Sequence, residues 1–140
     1  MSTAHETAER LIAEAPDVDW LRKVADELDR AVRHAPLERL TRLWDLSNAE
    51  AARLFGVTRQ AFSKWLDRGV PAERATAVAD LAAATDLLDR RIKRERIPAV
   101  VRRRAAMLNG KSLYELAAEG RHAEVREAVA AMLDLRRVQP

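Results

Sequence analysis

Three segments with the pattern Ser/Thr-x-x-Glu constrain the fold most strongly, because this pattern starts α-helices. They begin at Thr3, Ser47 and Ser112. In each, the hydroxyl and the carboxylate can satisfy backbone amides of the first helical turn reciprocally. The 140 residues include only four Gly and five Pro, and no run of β-branched and aromatic residues is typical of a strand. We therefore predict an all-α, multi-helix fold.

Apolar residues at helical spacing divide the chain into successive helices. An N-terminal stripe from Ala4 to Ile12 ends at Pro16. Asp17 can cap a second helix with Val18, Leu21, Val24, Leu28 and Val32 on one face. Pro36 is predicted to open a separate short helix with Leu37, Leu40, Leu43 and Trp44 buried, because proline suits the first helical position.

The later helices are delimited by glycine, proline and capping residues. Their predicted limits are Ser47 to Gly56, Thr58 to about Leu66 with Gly69 beyond it, Pro71 through Ile92, a short helix after Pro98, Ser112 to Gly120, and about Ala123 to Leu135. Asn109-Gly110 is a turn signal.

The segment from Asn48 to Asp67 predicts two helices joined by a tight turn. Ala52 is small enough for the helices to cross closely, and Gly56 can adopt the positive φ needed to leave the first helix. The residues expected to point inward are Ala51, Leu54, Val57, Phe62 and Trp65. This leaves a polar outer face on the second helix, as a DNA recognition helix requires.

The outward residues have side chains suited to base recognition. Arg59 can bond guanine O6 and N7, and Gln60 can bond adenine N6 and N7. Ser63 and Lys64 complete the predicted base-contacting set. Predicted phosphate contacts are Ser47 and Thr58 at helix starts, together with Arg68, Arg90, Arg91 and Arg94.

The string from Ala51 to Leu66, AARLFGVTRQAFSKWL, resembles bacterial Xre-type helix-turn-helix regulators. The string GVPAER from Gly69 to Arg74 resembles the segment after their recognition helix. The resemblance covers residues 37–90 and implies a transcriptional regulator.

Residues 98–135 more weakly resemble the C-terminal toxin-binding domain of Xre-type antitoxins paired with RES-domain toxins. The similar residues are Leu108 to Leu113, Leu116, Gly120-Arg121 and the last helix. That family carries a Pro-Ala-Leu-Gly-Gly-like turn where this chain has Ala105 to Gly110. The resemblance implies a RES-type toxin partner and repression of the protein's own operon, and an orphan regulator that dimerises through this domain is an equal alternative.

These patterns predict three domains: an N-terminal helical arm with possible dimerisation at 1–35, a helix-turn-helix DNA-binding domain at 36–95, and a small C-terminal helical domain at 96–140. A lone helix-turn-helix buries little surface on DNA, so we expect a homodimer on a palindromic double-stranded operator. The N-terminal stripes can supply the dimer interface or cap the core of one protomer.

Positive charge is concentrated outside the motif. Residues 90–104 carry eight basic groups and one acidic group, whereas residues 48–89 have a net charge of −1 and the whole chain +3. The basic segment can clamp phosphates, stay solvated or dock an acidic partner. The low charge of the motif also motivates an alternative, a protein-interaction module that does not bind DNA.

Other functions lack a motif. The chain has no cysteine, its three histidines, His5, His34 and His122, are far apart, and no phosphate loop or nucleophile elbow occurs. We expect no enzyme, metal site or cofactor. The N-terminal stretch resembles neither a signal peptide nor a membrane span, which favours the cytoplasm.

Overall fold

The computed structural model describes Ala4 and residues 18–138. Residues 18–138 form seven α-helices, which are α1 Val18–Trp44, α2 Asn48–Leu54, α3 Arg59–Arg68, α4 Ala75–Arg91, α5 Ile97–Arg102, α6 Leu113–Ala118 and α7 His122–Val138. Short 3-10 helices lie at Ala72–Arg74, Arg94–Arg96 and Ala106–Leu108. This part of the chain holds no strand, only an isolated bridge between Ala105 and Lys111, so the all-α prediction is confirmed. Within it, no helix has the length and hydrophobicity needed to cross a membrane.

The chain divides into two compact units, Met1–Val32 and Arg33–Pro140, with the division inside α1. In the first unit, Leu21 and Val24 are half-buried whereas Val18 and Leu28 are exposed. The predicted first helix, with its cap at Thr3 and its end at Pro16, lies outside the described residues, as does Asp17. The proposed domain boundaries near residues 35 and 96 remain predictions.

The prediction that Pro36 begins a separate helix was wrong. Pro36 lies inside α1, which continues without a break to Trp44. The φ of proline is helical, and its lost amide hydrogen bond costs about 3 kcal/mol. Burial of Leu37, Leu40 and Trp44, which follow the proline on one face, favours keeping this part helical.

A continuous apolar core organises the second unit. It draws on the end of α1 and on every later α-helix, with fully buried side chains including Trp44, Phe62, Leu81, Ile97, Leu113 and Val129. The Trp44 indole nitrogen donates a buried 3.0 Å hydrogen bond to the Thr85 hydroxyl, which joins α1 to α4. The long helices α4 and α7 pack together, and Asp80 lies 3.2 Å from Arg126 between them.

Most helix starts follow the predicted local chemistry. The Ser47 capping box is complete, and Thr58 caps α3 by accepting a hydrogen bond from the Ala61 amide. Ser112 caps α6, but the Glu115 carboxylate pairs with Arg104 instead of completing a reciprocal box. A 3-10 turn follows Pro71, so the long helix α4 starts at Ala75.

Candidate nucleic-acid interface

Helices α2 and α3 pack against each other across a short turn, as predicted for the two helices of this segment. Ala52 is buried where the helices meet, and its carbonyl accepts hydrogen bonds from the amides of Phe55 and Val57. Gly56 has a φ of +64°, a conformation that a side chain disfavours, and lets the chain reverse into Thr58.

Aromatic rings hold the inner faces of the two helices together. Phe62 and Trp65 are 0% and 6% exposed, as predicted. Phe55, which the sequence analysis did not place in the core, has its ring centroid 5.5 Å from Trp65 in an edge-on contact. The His122 ring also stacks on Phe55, with centroids 5.7 Å apart. The aromatic cluster therefore extends from α3 to the start of α7.

The outer face of α3 is polar and free of neighbours. Arg59, Gln60, Ser63 and Lys64 are all exposed, as predicted, at positions that recur with the helical period. Neither Arg59 nor Lys64 has an ion-pair partner among the described residues. Toward the end of the helix, Arg68 lies 3.9 Å from Asp67, and both are largely exposed. Four hydrogen-bonding side chains therefore share one accessible surface.

Side chains from distant segments satisfy the carbonyls of α2 and the preceding turn. A helix of seven residues leaves most of its final carbonyls without an internal donor. The Tyr114 hydroxyl donates to the Glu50 carbonyl at 3.0 Å, and burial raises the pKa of this phenol, which keeps it protonated. His122 Nε2 donates to the Leu54 carbonyl at 2.6 Å.

Two arginines complete this set of donors. Arg102 donates to the carbonyls of Trp44 and Asp45 and lies 3.3 Å from the Glu50 carboxylate. Arg74 donates to the Phe55 carbonyl at 3.1 Å. None of these roles was predicted from the sequence, in which Arg102 is simply one residue of the basic segment. The orientation of α2 therefore depends on residues far along the chain.

Part of the basic segment is neutralised within the protein. Arg90 pairs with Asp86 at 2.7 Å, and Arg94 contacts both carboxylate oxygens of Asp89. The Arg94 guanidinium, with Arg39 second, holds the pKa of Asp89 below its ordinary value. Arg104 is 3.1 Å from Glu115. Two of the predicted phosphate contacts, Arg90 and Arg94, are thus already engaged in ion pairs.

The remaining basic side chains are available to a ligand. Arg91, Lys93, Arg96 and Arg103 are exposed and have no ion pair in the described part of the chain. Of the other predicted phosphate contacts, Ser47 and Thr58 are exposed but use their hydroxyls as helix caps. Among residues 18–28 and 36–134, no group of acidic or histidine side chains is arranged to hold a metal ion.

No protein-family model, curated protein or solved structure matches this chain.

Proposed function

We propose that the protein is a sequence-specific DNA-binding transcriptional regulator, with α3 in the major groove. The observation that carries the proposal is the exposed set of Arg59, Gln60, Ser63 and Lys64 on a helix whose opposite face is fully packed. A rigid helix with hydrogen-bonding side chains on one accessible face fits the groove geometry of this class.

Each outer side chain has a role in this proposal. Arg59 reads guanine through two parallel hydrogen bonds, and Gln60 reads adenine. Ser63 and Lys64 contact neighbouring bases. The first amides of α3 point along the helix axis toward the DNA, where the positive end of the helix dipole favours a phosphate. Arg68 contacts the backbone from the other end of the helix.

The basic segment supplies affinity that does not depend on sequence. Arg91, together with the other unpaired side chains Lys93, Arg96 and Arg103, neutralises phosphates without breaking an internal ion pair. Arg90 and Arg94 can bind phosphate only if they first break their ion pairs with Asp86 and Asp89. Each phosphate neutralised steepens the log-log salt dependence of binding by about 0.9.

The assembly and biological context extend the same proposal. We expect a homodimer on a palindromic operator in the cytoplasm, since one helix-turn-helix supplies limited contact area. The resemblance of residues 98–135 to RES-Xre antitoxins supports repression of the protein's own operon and a RES-type toxin partner. An orphan regulator that dimerises through this domain is the alternative.

A protein-interaction module without DNA binding is the second candidate. It is favoured by internal pairing of Arg90, Arg94, Arg102 and Arg104, which is half of the basic residues in 90–104. If no duplex is bound at low salt, while a purified candidate toxin binds tightly, this second function is supported.

Selection from a random duplex pool, followed by binding measurements on the enriched site and a scrambled duplex, tests the first proposal. Arg59→Lys keeps the charge but not the two-point hydrogen bond, so we expect the preference for the enriched site to fall by about 1–3 kcal/mol while scrambled-site affinity changes little. Gln60→Ala should relax a different base position by a similar amount.

Arg91→Gln is the matched comparison, because Arg91 is exposed but lies outside α3. It should weaken binding to both duplexes equally and make the salt dependence shallower. Unchanged base preference in both the Arg59 and Gln60 variants would contradict the assignment of α3 as the recognition helix.

A further inference from the structure

An apolar cavity of about 360 Å³ lies among α4, α5, α6 and α7, and no residue of α3 lines it. Leu88 and Ile92 line it from the end of α4, Val100 from α5, and Met132 and Leu133 from α7. Cavities of this size and apolar character are typical of small-molecule sites. The core of the second unit therefore has a gap that its own described side chains do not fill.

Positive charge lies at the edge of this cavity. Arg103 and Arg104, which directly follow α5, form part of its lining, and that lining includes no acidic residue. Arg103 is exposed and has no ion pair among the described residues. Arg104 is 74% exposed, and its Nε atom lies 3.1 Å from the Glu115 carboxylate.

We propose that this cavity binds a small amphipathic carboxylate, with its apolar chain or ring inside and its carboxylate on Arg103. Guanidinium groups bind carboxylates through two parallel hydrogen bonds, and Arg103 is available for such a contact because it has no ion pair among the described residues. The apolar lining selects against a fully polar anion, and the two arginines select against a cation.

The dimensions favour a small molecule over a macromolecule. A specific protein interface buries on the order of 1,200–2,000 Å² across a broad surface, whereas this site is a cavity enclosed by the ends of several helices. A DNA phosphate would use the arginines but leave the apolar lining empty. The proposal does not depend on DNA binding, so its test uses the protein alone.

Decanoate is a suitable probe, compared with decanol and decyltrimethylammonium, which have the same chain but a neutral or positive head group. Calorimetric titration of the full chain below the micellar range should give saturable one-to-one binding of decanoate. An exposed ion pair contributes up to about 1 kcal/mol, so we expect decanol to bind about threefold more weakly, and the cation more weakly still.

Two variants separate the head-group contact from the cavity. Arg103→Gln should weaken decanoate about threefold and leave decanol unchanged. Arg96→Gln is the matched control, because Arg96 is an exposed, unpaired arginine of the same basic segment that does not line the cavity. Met132→Trp should fill the cavity and abolish binding of all three probes.

Absence of saturable decanoate binding to the unmodified chain would overturn the proposal. Equal affinity for decanoate and decanol, or equal effects of Arg103→Gln and Arg96→Gln, would overturn the role of Arg103. If Met132→Trp fails to fold, as judged by circular dichroism, the ratio of decanoate to decanol affinity in Arg103→Gln still decides the question.

Discussion

Gly56 illustrates how a single backbone conformation shapes the helix-turn-helix. Its φ of +64° lies in the left-handed region, and a Cβ placed there would meet no atom within 4 Å. Because there is space for a side chain, the preference for glycine comes from the backbone alone. The amide of Gly56 also donates a hydrogen bond to the Arg53 carbonyl, and this bond helps to terminate α2.

Replacing Gly56 with alanine should lower the free energy of unfolding by about 1–2 kcal/mol, which is the cost of the left-handed conformation for a residue with a Cβ. Gly56→Asn should cost less, because asparagine tolerates this region better. Urea denaturation of the two variants and the unmodified chain measures the order. Equal stability of all three would show that the turn changes conformation.

At the scale of the helices, Glu50 at the start of α2 makes the stability of the fold sensitive to acid. The Ser47 backbone amide, then its hydroxyl, and then Arg102 hold the pKa of Glu50 below its ordinary value. A carboxylate whose pKa is lower in the folded state stabilises the fold above its unfolded pKa. This contribution is lost as the pH falls through the range between the unfolded and the folded pKa.

Glu50→Gln should reduce the loss of stability on acidification below about pH 4.3, the ordinary pKa of glutamate. Glutamine can still accept the Ser47 amide but loses the ion pair with Arg102, so stability at neutral pH should fall by a small amount. Thermal melting from pH 3 to pH 7 checks this. Glu127→Gln, at an exposed glutamate of α7, is the control, and an identical acid profile in both variants would contradict the prediction.

The limits of α2 and α3 were predictable because they depend on local chemistry at Ser47, Gly56, Thr58 and Gly69. The course of α1 was not predictable, since proline has the same φ at the first position of a helix and inside one. Pro36 therefore gave no local signal that the preceding turn stays helical.

The candidate site was likewise predictable only in part. Helical periodicity correctly predicted which side chains of α3 face outward, whereas their contacts with bases remain predictions. The roles of Tyr114 and His122 were missed because their acceptors lie 64 and 68 residues earlier in the chain. Contacts over such separations leave no periodic pattern in one sequence.

At the scale of the whole molecule, side chains from the C-terminal third donate hydrogen bonds that hold α2 against the rest of the protein. Tyr114→Phe removes the donor to the Glu50 carbonyl without changing the ring. We expect a loss of about 1 kcal/mol in the free energy of unfolding, because the Glu50 carbonyl loses its hydrogen bond from the Tyr114 hydroxyl.

Hydrogen exchange can show where that loss appears. Amides of α2 and α3 should exchange faster in Tyr114→Phe than in the unmodified chain, while those in the middle of α4 change less. A uniform change across all helices would indicate that Tyr114 stabilises the core in general and does not hold α2 specifically.

The same long-range hydrogen bonds bear on the order of events during synthesis. Residues 48–68 leave the ribosome well before Arg102, Tyr114 and His122, which bond the carbonyls of α2 and the turn before it. A nascent chain that has not yet been extended to His122 thus lacks the donor for the Leu54 carbonyl and the ring that stacks on Phe55. We expect α2 and α3 to gain their final orientation only after translation has passed His122.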